Sequence, residues 1–318
     1  MKIVFELPFY SSSVGGIVES IKFAEKLGAS VRFQRKSGFH PILNVPFTLG
    51  MPDSTFPKCD IVVTYSDNPY LDKLVKLPQI GKVFVYMLSY GMSYANERHN
   101  ALHPKVTTLC STKKIEQAII KDGGRVTRIG FALDMDNMFD EGKERFDNSA
   151  LYYHPMASKR YPLAVEISNA LYGQKLIDNV YTFGTHEGYE SHKKPAGLIK
   201  HYFNASREQI RHLFNQSRVF ISTSNSEGLN LTPVEATLCG CPAVICDGAI
   251  GELFIDGHTC YIAKEGDYFD VLNCAIELLS DFDLYRELFR DNMRKIVKQY
   301  TWDNLLNNFK KVIDEPDN

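Results

Sequence analysis

The sequence lacks the features that mark secreted, membrane-spanning or nucleic-acid-binding proteins. Its seven cysteines form no CxxC pair, so neither a disulfide framework nor a zinc site is indicated. With 36 Lys and Arg against 38 Asp and Glu, the net charge of -2 gives no long-range attraction to nucleic acid. No apolar run approaches the ~18 residues of a membrane span, and residues 1–7 carry no cationic leader. We therefore expect a cytoplasmic protein with no nucleic-acid partner.

One short basic run interrupts this balanced charge. Arg32, Arg35 and Lys36 lie close to Phe33 and Phe39 in the sequence. Such a run can contact an anionic ligand or a membrane surface, so it suggests a weak membrane-surface contact through the N-terminal part of the chain. The alternative is a solvated strand end, which is the commoner role of a short charge cluster.

Short apolar runs alternate with helix-length amphipathic segments, which is typical of parallel β-α-β units. The 318 residues are enough for two domains of ordinary size. The first series of predicted strands covers 3–7, 31–33, 61–65, 83–88, 106–110 and 126–129, and the second covers 151–153, 180–183, 219–223, 243–245 and 261–262. A polar, non-periodic stretch over 136–149 predicts the linker between them. We place the domains at 1–145 and 146–300, followed by a C-terminal helix within 301–318.

Helix starts are also visible in the sequence. Ser111 is well placed to cap a helix, and Ser206 with Gln209 is predicted to form a capping box that opens a helix over 207–215. The last helix, over 302–313, has an apolar face that must pack against another element. That face consists of Leu305, Leu306, Phe309 and Val312.

The most informative stretch is 222–236, a strand end followed by a glycine-containing turn and a helix start. Thr232 is the predicted N-cap, Pro233 suits the first helical position, and Glu235 falls three residues after the cap, as in a capping box. The free N–H groups and the positive dipole end of a helix start favour anions. At the carboxyl end of a parallel strand, a phosphate-bearing ligand usually binds there.

Taken singly, Glu235 can be a capping-box residue and Glu227 a surface carboxylate. Taken together, with seven residues between them and Gly228 in the turn, they resemble the signature of glycosyltransferase family 4. The segments 240–244 and 251–261 behind them are similar to that family as well. The resemblance implies an α/β protein of the GT-B fold, with two Rossmann-like domains whose parallel sheets face a central cleft. It also implies that the C-terminal helix crosses back to the N-terminal domain.

The resemblance implies roles for individual residues. Glu227 would bond the hydroxyls of the donor sugar, and Glu235 would bond the ribose hydroxyls. Lys159 and Arg160 would neutralise the leaving diphosphate, and Glu227 and Lys159 are the predicted catalytic residues. Pro155 departs from the pattern, because the family has an Arg there.

Further donor-binding residues follow from the same resemblance. Backbone groups of the turn would hold the diphosphate, and two N-terminal glycines would let the backbone approach it. His186 is assigned near the nucleobase by its position alone. Asn230 departs from the small residue that is usual in the turn. These residues are Gly228, Leu229, Asn230, Leu231, Thr232, Gly15, Gly16 and His186.

The predicted function is therefore a retaining, metal-independent hexosyl- or deoxyhexosyltransferase. It would move a sugar from a nucleoside diphosphate to a glycan or glycolipid acceptor, without a cofactor. Asp134 and Asp136 form an Asp-x-Asp pattern, but their surroundings resemble the family's entry into the interdomain linker, so no metal site is predicted. Two alternatives stay open: a non-catalytic GT-B protein that binds a nucleotide sugar, and a nucleotide-sugar epimerase or hydrolase on the same fold.

Overall fold

The chain is described by a computed structural model over residues 1–8, 15–34, 45–53, 55–90, 95–133, 137–146, 148–154, 156–184 and 189–314. It divides into two compact units. Unit 1 comprises Met1–Leu133 and Gln299–Asn318, and unit 2 comprises Asp134–Lys298. Each unit is built on one parallel sheet, so the predicted α/β class with two Rossmann-like sheets is confirmed.

Unit 1 contains a seven-stranded sheet in the order β3-β2-β1-β4-β5-β6-β7. The strands are β1 (Ile3–Leu7), β2 (Ser30–Phe33), β3 (Phe47–Leu49), β4 (Cys59–Tyr65), β5 (Ile80–Met87), β6 (Thr107–Cys110) and β7 (Thr127–Arg128). The helices between them are α1 (Gly15–Lys26), α2 (Leu71–Leu74), α3 (Glu97–Ala101) and α4 (Lys113–Lys121). Six of these strands match the predicted series, whereas β3 was not predicted.

Unit 2 contains a six-stranded sheet in the order β10-β9-β8-β11-β12-β13. The strands are β8 (Asn148–Tyr153), β9 (Asn179–Gly184), β10 (Leu198–Phe203), β11 (Val219–Ser222), β12 (Ala243–Cys246) and β13 (Tyr261–Ala263). The helices are α5 (Tyr161–Gly173), α6 (Arg207–Gln216), α7 (Leu231–Leu238), α8 (Tyr268–Ser280) and α9 (Phe282–Val297). The strand order reverses between β8 and β11, and such a switch point opens a crevice at the carboxyl ends of the strands.

Two predicted helix caps have different outcomes. The capping box of Ser206 and Gln209 is present at the start of α6, so that prediction is confirmed. The cap of α4 is Thr112, whose hydroxyl accepts from the Ile115 N–H at 3.3 Å, and the prediction of Ser111 was wrong. The Ser111 hydroxyl donates instead to the Met87 carbonyl at 3.2 Å, which ties it to the neighbouring strand.

The last helix, α10 (Trp302–Asp314), packs into the core of unit 1, as the fold resemblance implied. Leu305 and Phe309 are buried there. The Phe309 ring meets Phe23 and Phe84 edge to face, with ring centroids 5.2 and 5.8 Å apart. Edge-to-face aromatic packing adds to the free energy gained by burying an apolar face, which explains why the helix docks here.

The boundary between the units lies at residue 134, earlier than the predicted boundary near residue 145. The physical reason is that Asp140 and Arg145, expected in an exposed linker, are buried in unit 2. The Asp140 carboxylate accepts from Arg145 at 3.0 Å, from Arg286 at 2.8 Å and from Arg290 at 2.9 Å. This cluster, which we call the Asp140 clamp, fixes the start of unit 2.

Glu19 is a buried carboxyl group in the core of unit 1. Its Oε1 accepts from the Tyr86 hydroxyl at 3.1 Å, and Oε2 has no hydrogen-bond partner among the described residues. Burial raises the pKa of Glu19 to about 8, against smaller opposite effects of the hydrogen bonds from Tyr86 and from the Ala132 backbone. Because this pKa exceeds the unfolded value of 4.5, the stabilisation is complete below pH 4.5 and is lost as the pH rises toward 8.

We expect Glu19→Gln to remove this pH dependence. Each unit of pKa corresponds to about 1.4 kcal/mol, so wild type should lose at least about 2 kcal/mol more than the variant between pH 4.5 and 8. Urea denaturation of both proteins near both ends of this range measures the difference. The control is Glu25→Gln, an exposed carboxylate on the same helix. Parallel pH profiles for wild type and Glu19→Gln would contradict the prediction.

Candidate functional site

The loops after β8 and β11 meet at the switch point of unit 2. The Asn225 N–H donates to the Ser158 carbonyl at 2.8 Å. The Thr223 hydroxyl lies within donating distance of the carbonyl oxygens of Lys159, at 3.1 Å, and Arg160, at 2.9 Å. These contacts hold the segment that carries the two predicted cations against the turn that carries the predicted carboxylates.

Lys159 and Glu227 form an ion pair in which the Lys159 ammonium donates to Glu227 Oε1. Their side chains are only 15% and 11% exposed. The alternative of a freely solvated surface carboxylate does not describe Glu227, because water screens this pair far less than an exposed one. The pair brings the two predicted catalytic side chains into direct contact.

Arg160 pairs with a different carboxylate. Its backbone is left-handed, with φ of 46°, and its guanidinium lies 2.9 Å from Glu265 Oε1. Gly266 follows at a φ of 73°, and a Cβ there would lie 2.5 Å from Arg160 Nη1. The positive φ favours glycine at Gly266, whereas the end of the flexible Arg160 side chain could move away from a Cβ. Arg160 is about one third exposed, so it can exchange Glu265 for another anion.

The turn at Gly228 and Leu229 ends at Asn230, which is the N-cap of α7 with φ of 49°. The prediction that Thr232 caps this helix was wrong, because α7 begins at Leu231. Asn is one of the few residues that tolerate the left-handed conformation, and its side-chain amide donates to the Ala249 carbonyl at 3.3 Å. The N–H groups of the first turn lack intrahelical acceptors, as an anion site requires.

Glu235 is the fifth residue of α7, so it does not occupy the capping-box position that the sequence suggested. Its Oε1 lies 2.7 Å from Arg207 Nη1. The sequence did not predict a role for Arg207, because its partner is 28 positions away. The sequence around Arg207 does not indicate that α6 contacts α7. The site thus contains three carboxylate and cation pairs, at Glu227, Glu235 and Glu265.

Several predicted site residues cannot be placed in this arrangement. His186 and Pro155 lie outside the described residues, as do Asp134 and Asp136. Gly15 and Gly16 belong to unit 1, where they begin α1.

One residue of the predicted basic run, Arg32, does not lie on the protein surface. Arg32 is buried, and its guanidinium donates to the carbonyl oxygens of Gly50 at 3.2 Å and Met51 at 2.9 Å. It is therefore not available to a membrane surface, contrary to the sequence-based hypothesis. Arg35 and Lys36 lie outside the described residues. In the described part of the chain, no helix combines the length and apolar character that crossing a bilayer requires.

The thiols of Cys239, Cys241 and Cys246 are buried. Burial raises the pKa of Cys241 to about 12 and that of Cys246 to about 11. Both thiols therefore stay protonated near neutral pH, which makes them poor metal ligands and nucleophiles.

Within the described ranges, a group with metal-ligand spacing consists of Asp72, His99 and His103. Asp72 Oδ1 lies 3.3 Å from His99 Nε2 and 3.2 Å from His103 Nε2. The Lys105 N–H donates to His103 Nδ1, which leaves the proton of the neutral ring on Nε2, facing Asp72. A hydrogen bond from His103 to Asp72 thus accounts for their contact, whereas a metal would require that nitrogen to lose its proton.

Residues 188–301 match the family model of the glycosyl transferases group 1. Over 111 residues the chain is 24% identical to the uncharacterized glycosyltransferase MJ1178 of Methanocaldococcus jannaschii. It is 25% identical, again over 111 residues, to the N-acetyl-alpha-D-glucosaminyl L-malate synthase of Bacillus anthracis. Each match spans 35% of this chain but only 31% and 29% of the respective relative.

Solved structures with a similar fold cover between 81% and 98% of the chain. HepE of Anabaena, in complex with UDP and glucose, has a TM-score of 0.79 at 14% identity, covering 98% of this chain and 99% of HepE. TarM has a TM-score of 0.68 at 14% identity, covering 81% of this chain and 55% of TarM. The fold is that of the GT-B glycosyltransferases. These structures show the fold, and the sequence similarity to the glycosyl transferases group 1 covers residues 188–301.

Proposed function

We propose that this protein is a retaining, metal-independent glycosyltransferase of family 4 type. It transfers a hexose or deoxyhexose from a nucleoside diphosphate to a glycan or glycolipid acceptor, in the cytoplasm. The observation that carries the proposal is the ion pair of Lys159 and Glu227 beside the start of α7, at the switch point of unit 2. A cation, a carboxylate and a helix N-terminus there match the parts of a diphosphate sugar.

The chemistry requires positive charge where the leaving diphosphate becomes more negative. Lys159, Arg160 and the first-turn N–H groups of α7 supply it. Glu227 bonds the hydroxyls of the transferred sugar, whose anomeric carbon becomes positively charged in the transition state. Glu235 takes the ribose hydroxyls, and the Gly228 turn lets the backbone approach the phosphates. These groups act by orientation and electrostatic stabilisation.

The anomeric configuration of the sugar is retained because the acceptor attacks the same face that the phosphate leaves. The proposal needs no covalent intermediate on the protein, because the leaving phosphate oxygen takes the proton of the acceptor hydroxyl on its own side of the sugar. The C–O bond to the phosphate breaks as the new glycosidic bond forms on the same face. The residues of unit 2 hold that phosphate and the sugar in place.

A binding protein without activity is the second candidate, favoured by Pro155 where family 4 has an Arg. An epimerase or hydrolase on the same fold is a third. Release of nucleoside diphosphate from a donor separates them, measured with and without a crude acceptor extract. Acceptor-dependent release supports transfer, equal release in both samples indicates hydrolysis, and a lack of release indicates binding or epimerisation.

The donor nucleotide is best found with a thermal-shift panel of UDP, GDP, ADP, dTDP and CMP sugars. A ligand present at 100 times its dissociation constant adds about 2.7 kcal/mol to stability, which gives a clear shift. UDP sugars are the first to test, because HepE was solved with UDP and glucose. A lack of shift with every sugar in the panel would count against the proposed donor site.

We expect activity to persist in excess EDTA. Lys159, Arg160 and the α7 N-terminus take the place that a divalent cation has in metal-dependent enzymes, so the initial rate should stay within about twofold. The measurement compares rates in EDTA, in added magnesium and in added manganese. Loss of activity in EDTA that either metal restores would overturn metal independence.

A further inference from the structure

Arg207 lies beside the proposed donor site, and its side chain is committed to Glu235. Its Nη1 atom is 2.7 Å from Glu235 Oε1, within the range of a charge-assisted hydrogen bond. The Glu235 side chain is 17% exposed and that of Arg207 35%. Glu235 is thus a largely buried carboxylate with a cation at one oxygen.

The start of α6 fixes where Arg207 stands. The Gln209 N–H donates to the Ser206 hydroxyl at 3.2 Å, and the Gln209 side chain accepts from the Ser206 N–H at 2.9 Å. Arg207 is the first helical residue after this capping box. A cation at that end is opposed by the helix dipole, so α6 by itself gains nothing from it. The interaction that offsets this cost is the pair with Glu235.

Resting on the proposed function, we propose that Arg207 is a positioning residue for the donor. It holds the Glu235 carboxylate in one orientation, so that Glu235 accepts the ribose hydroxyls. Arg207 acts through Glu235, and its contribution depends on a complete ribose.

Isothermal titration of UDP and 2′-deoxy-UDP to wild type and variants tests this inference. We expect Arg207→Met to weaken UDP binding about tenfold, with Arg207→Lys in between, because a single point charge replaces the planar fork. 2′-Deoxy-UDP lacks one ribose hydroxyl, so Arg207→Met should lower the affinity for this ligand by only about twofold or less. The double variant Arg207→Met with Glu235→Gln should bind UDP no more weakly than Glu235→Gln alone.

Turnover provides the second readout. Arg207→Met should raise KM for the donor about tenfold and leave kcat within about threefold, because Arg207 does not touch the transferred sugar. The matched control is Arg211→Met, one turn later on α6, where the guanidinium lies 3.0 Å from Glu141 instead. This variant should keep wild-type UDP affinity.

Three results would overturn the inference. Equal weakening of UDP and 2′-deoxy-UDP by Arg207→Met would mean a direct contact with the base or the phosphates. Unchanged UDP affinity in Arg207→Met, alongside weakened binding in Glu235→Gln, would leave the donor site intact and make the ion pair purely structural. Failure of wild type to bind UDP, GDP, ADP, dTDP or CMP would overturn the proposed function itself, and this inference with it.

Discussion

Replacing Glu227 with Gln is expected to lower turnover about 100-fold or more while nucleotide affinity changes little. The carboxylate is proposed to contact the sugar that becomes positively charged in the transition state. The substitution should therefore destabilise the transition state more than the bound substrate. The structure adds a second reason, because Glu227 is the partner that holds the Lys159 ammonium. A neutral amide holds a cation less well, so Lys159 is also less well placed to meet the leaving phosphate.

The measurement is kcat for transfer together with the dissociation constant of the nucleoside diphosphate. Glu208→Gln is the control, since Glu208 is an exposed carboxylate in unit 2 on the first turn of α6. Lys159→Met should also lower turnover strongly. The double variant of Lys159→Met and Glu227→Gln should lose less transition-state stabilisation than the sum of the two single variants, because the residues act as a pair. Full activity in Glu227→Gln would remove the basis for assigning this site to sugar transfer.

Replacing Asp140 with Ala is expected to destabilise unit 2 by about 3–5 kcal/mol. The substitution leaves Arg145, Arg286 and Arg290 clustered around a missing carboxylate. Burial alone raises the pKa of Asp140, but the hydrogen bonds from the Gly142 N–H and the arginines outweigh it and hold the pKa at about 2. Since this lies below the unfolded value of 3.8, the stabilisation is present above pH 3.8 and is lost as the pH falls toward 2.

Urea denaturation at neutral pH checks the size of this effect. Asp291→Ala is the control, because Asp291 pairs with the same Arg290 but is 54% exposed, and surface pairs contribute about 0–1 kcal/mol. If Asp140→Ala does not fold, Asp140→Asn keeps the shape and part of the hydrogen bonding, so a smaller loss should be measurable. Equal stability of the Asp140→Asn and Asp291→Ala variants would contradict the role of the clamp.

Much of the fold follows from local sequence pattern. The predicted strands include all the central ones, such as β4 and β11, because a parallel strand covered on both faces is a continuous apolar run. The two strands that were missed, β3 and β10, each form one edge of a sheet, whereas the opposite edge strands, β7 and β13, were predicted. The residues of β3 and β10 are largely exposed or half-buried, so they carry no apolar run and are set by pairing with a neighbour.

Part of the site is equally local. The spacing of Glu227 and Glu235 around a glycine turn is written in fifteen consecutive residues, 222–236, and places both carboxylates near one helix start. The exact start of α7 is not determined in this way. Thr232 and Pro233 give strong local signals for a cap, but the left-handed Asn230 starts the helix earlier, held by the distant Ala249 carbonyl.

By itself, then, the sequence determined the two parallel α/β units, the carboxylates at the carboxyl end of β11 and the cations after β8. The tertiary structure alone decided which charges meet: Lys159 with Glu227, Arg160 with Glu265, Arg207 with Glu235, and Asp140 with its three arginines. Periodicity and capping act over a few residues, so they can be read from the chain. Apart from Asp140 and Arg145, which are five positions apart, these ion pairs join residues 28 to 150 positions apart, and only the packing of helices on the sheet brings them together.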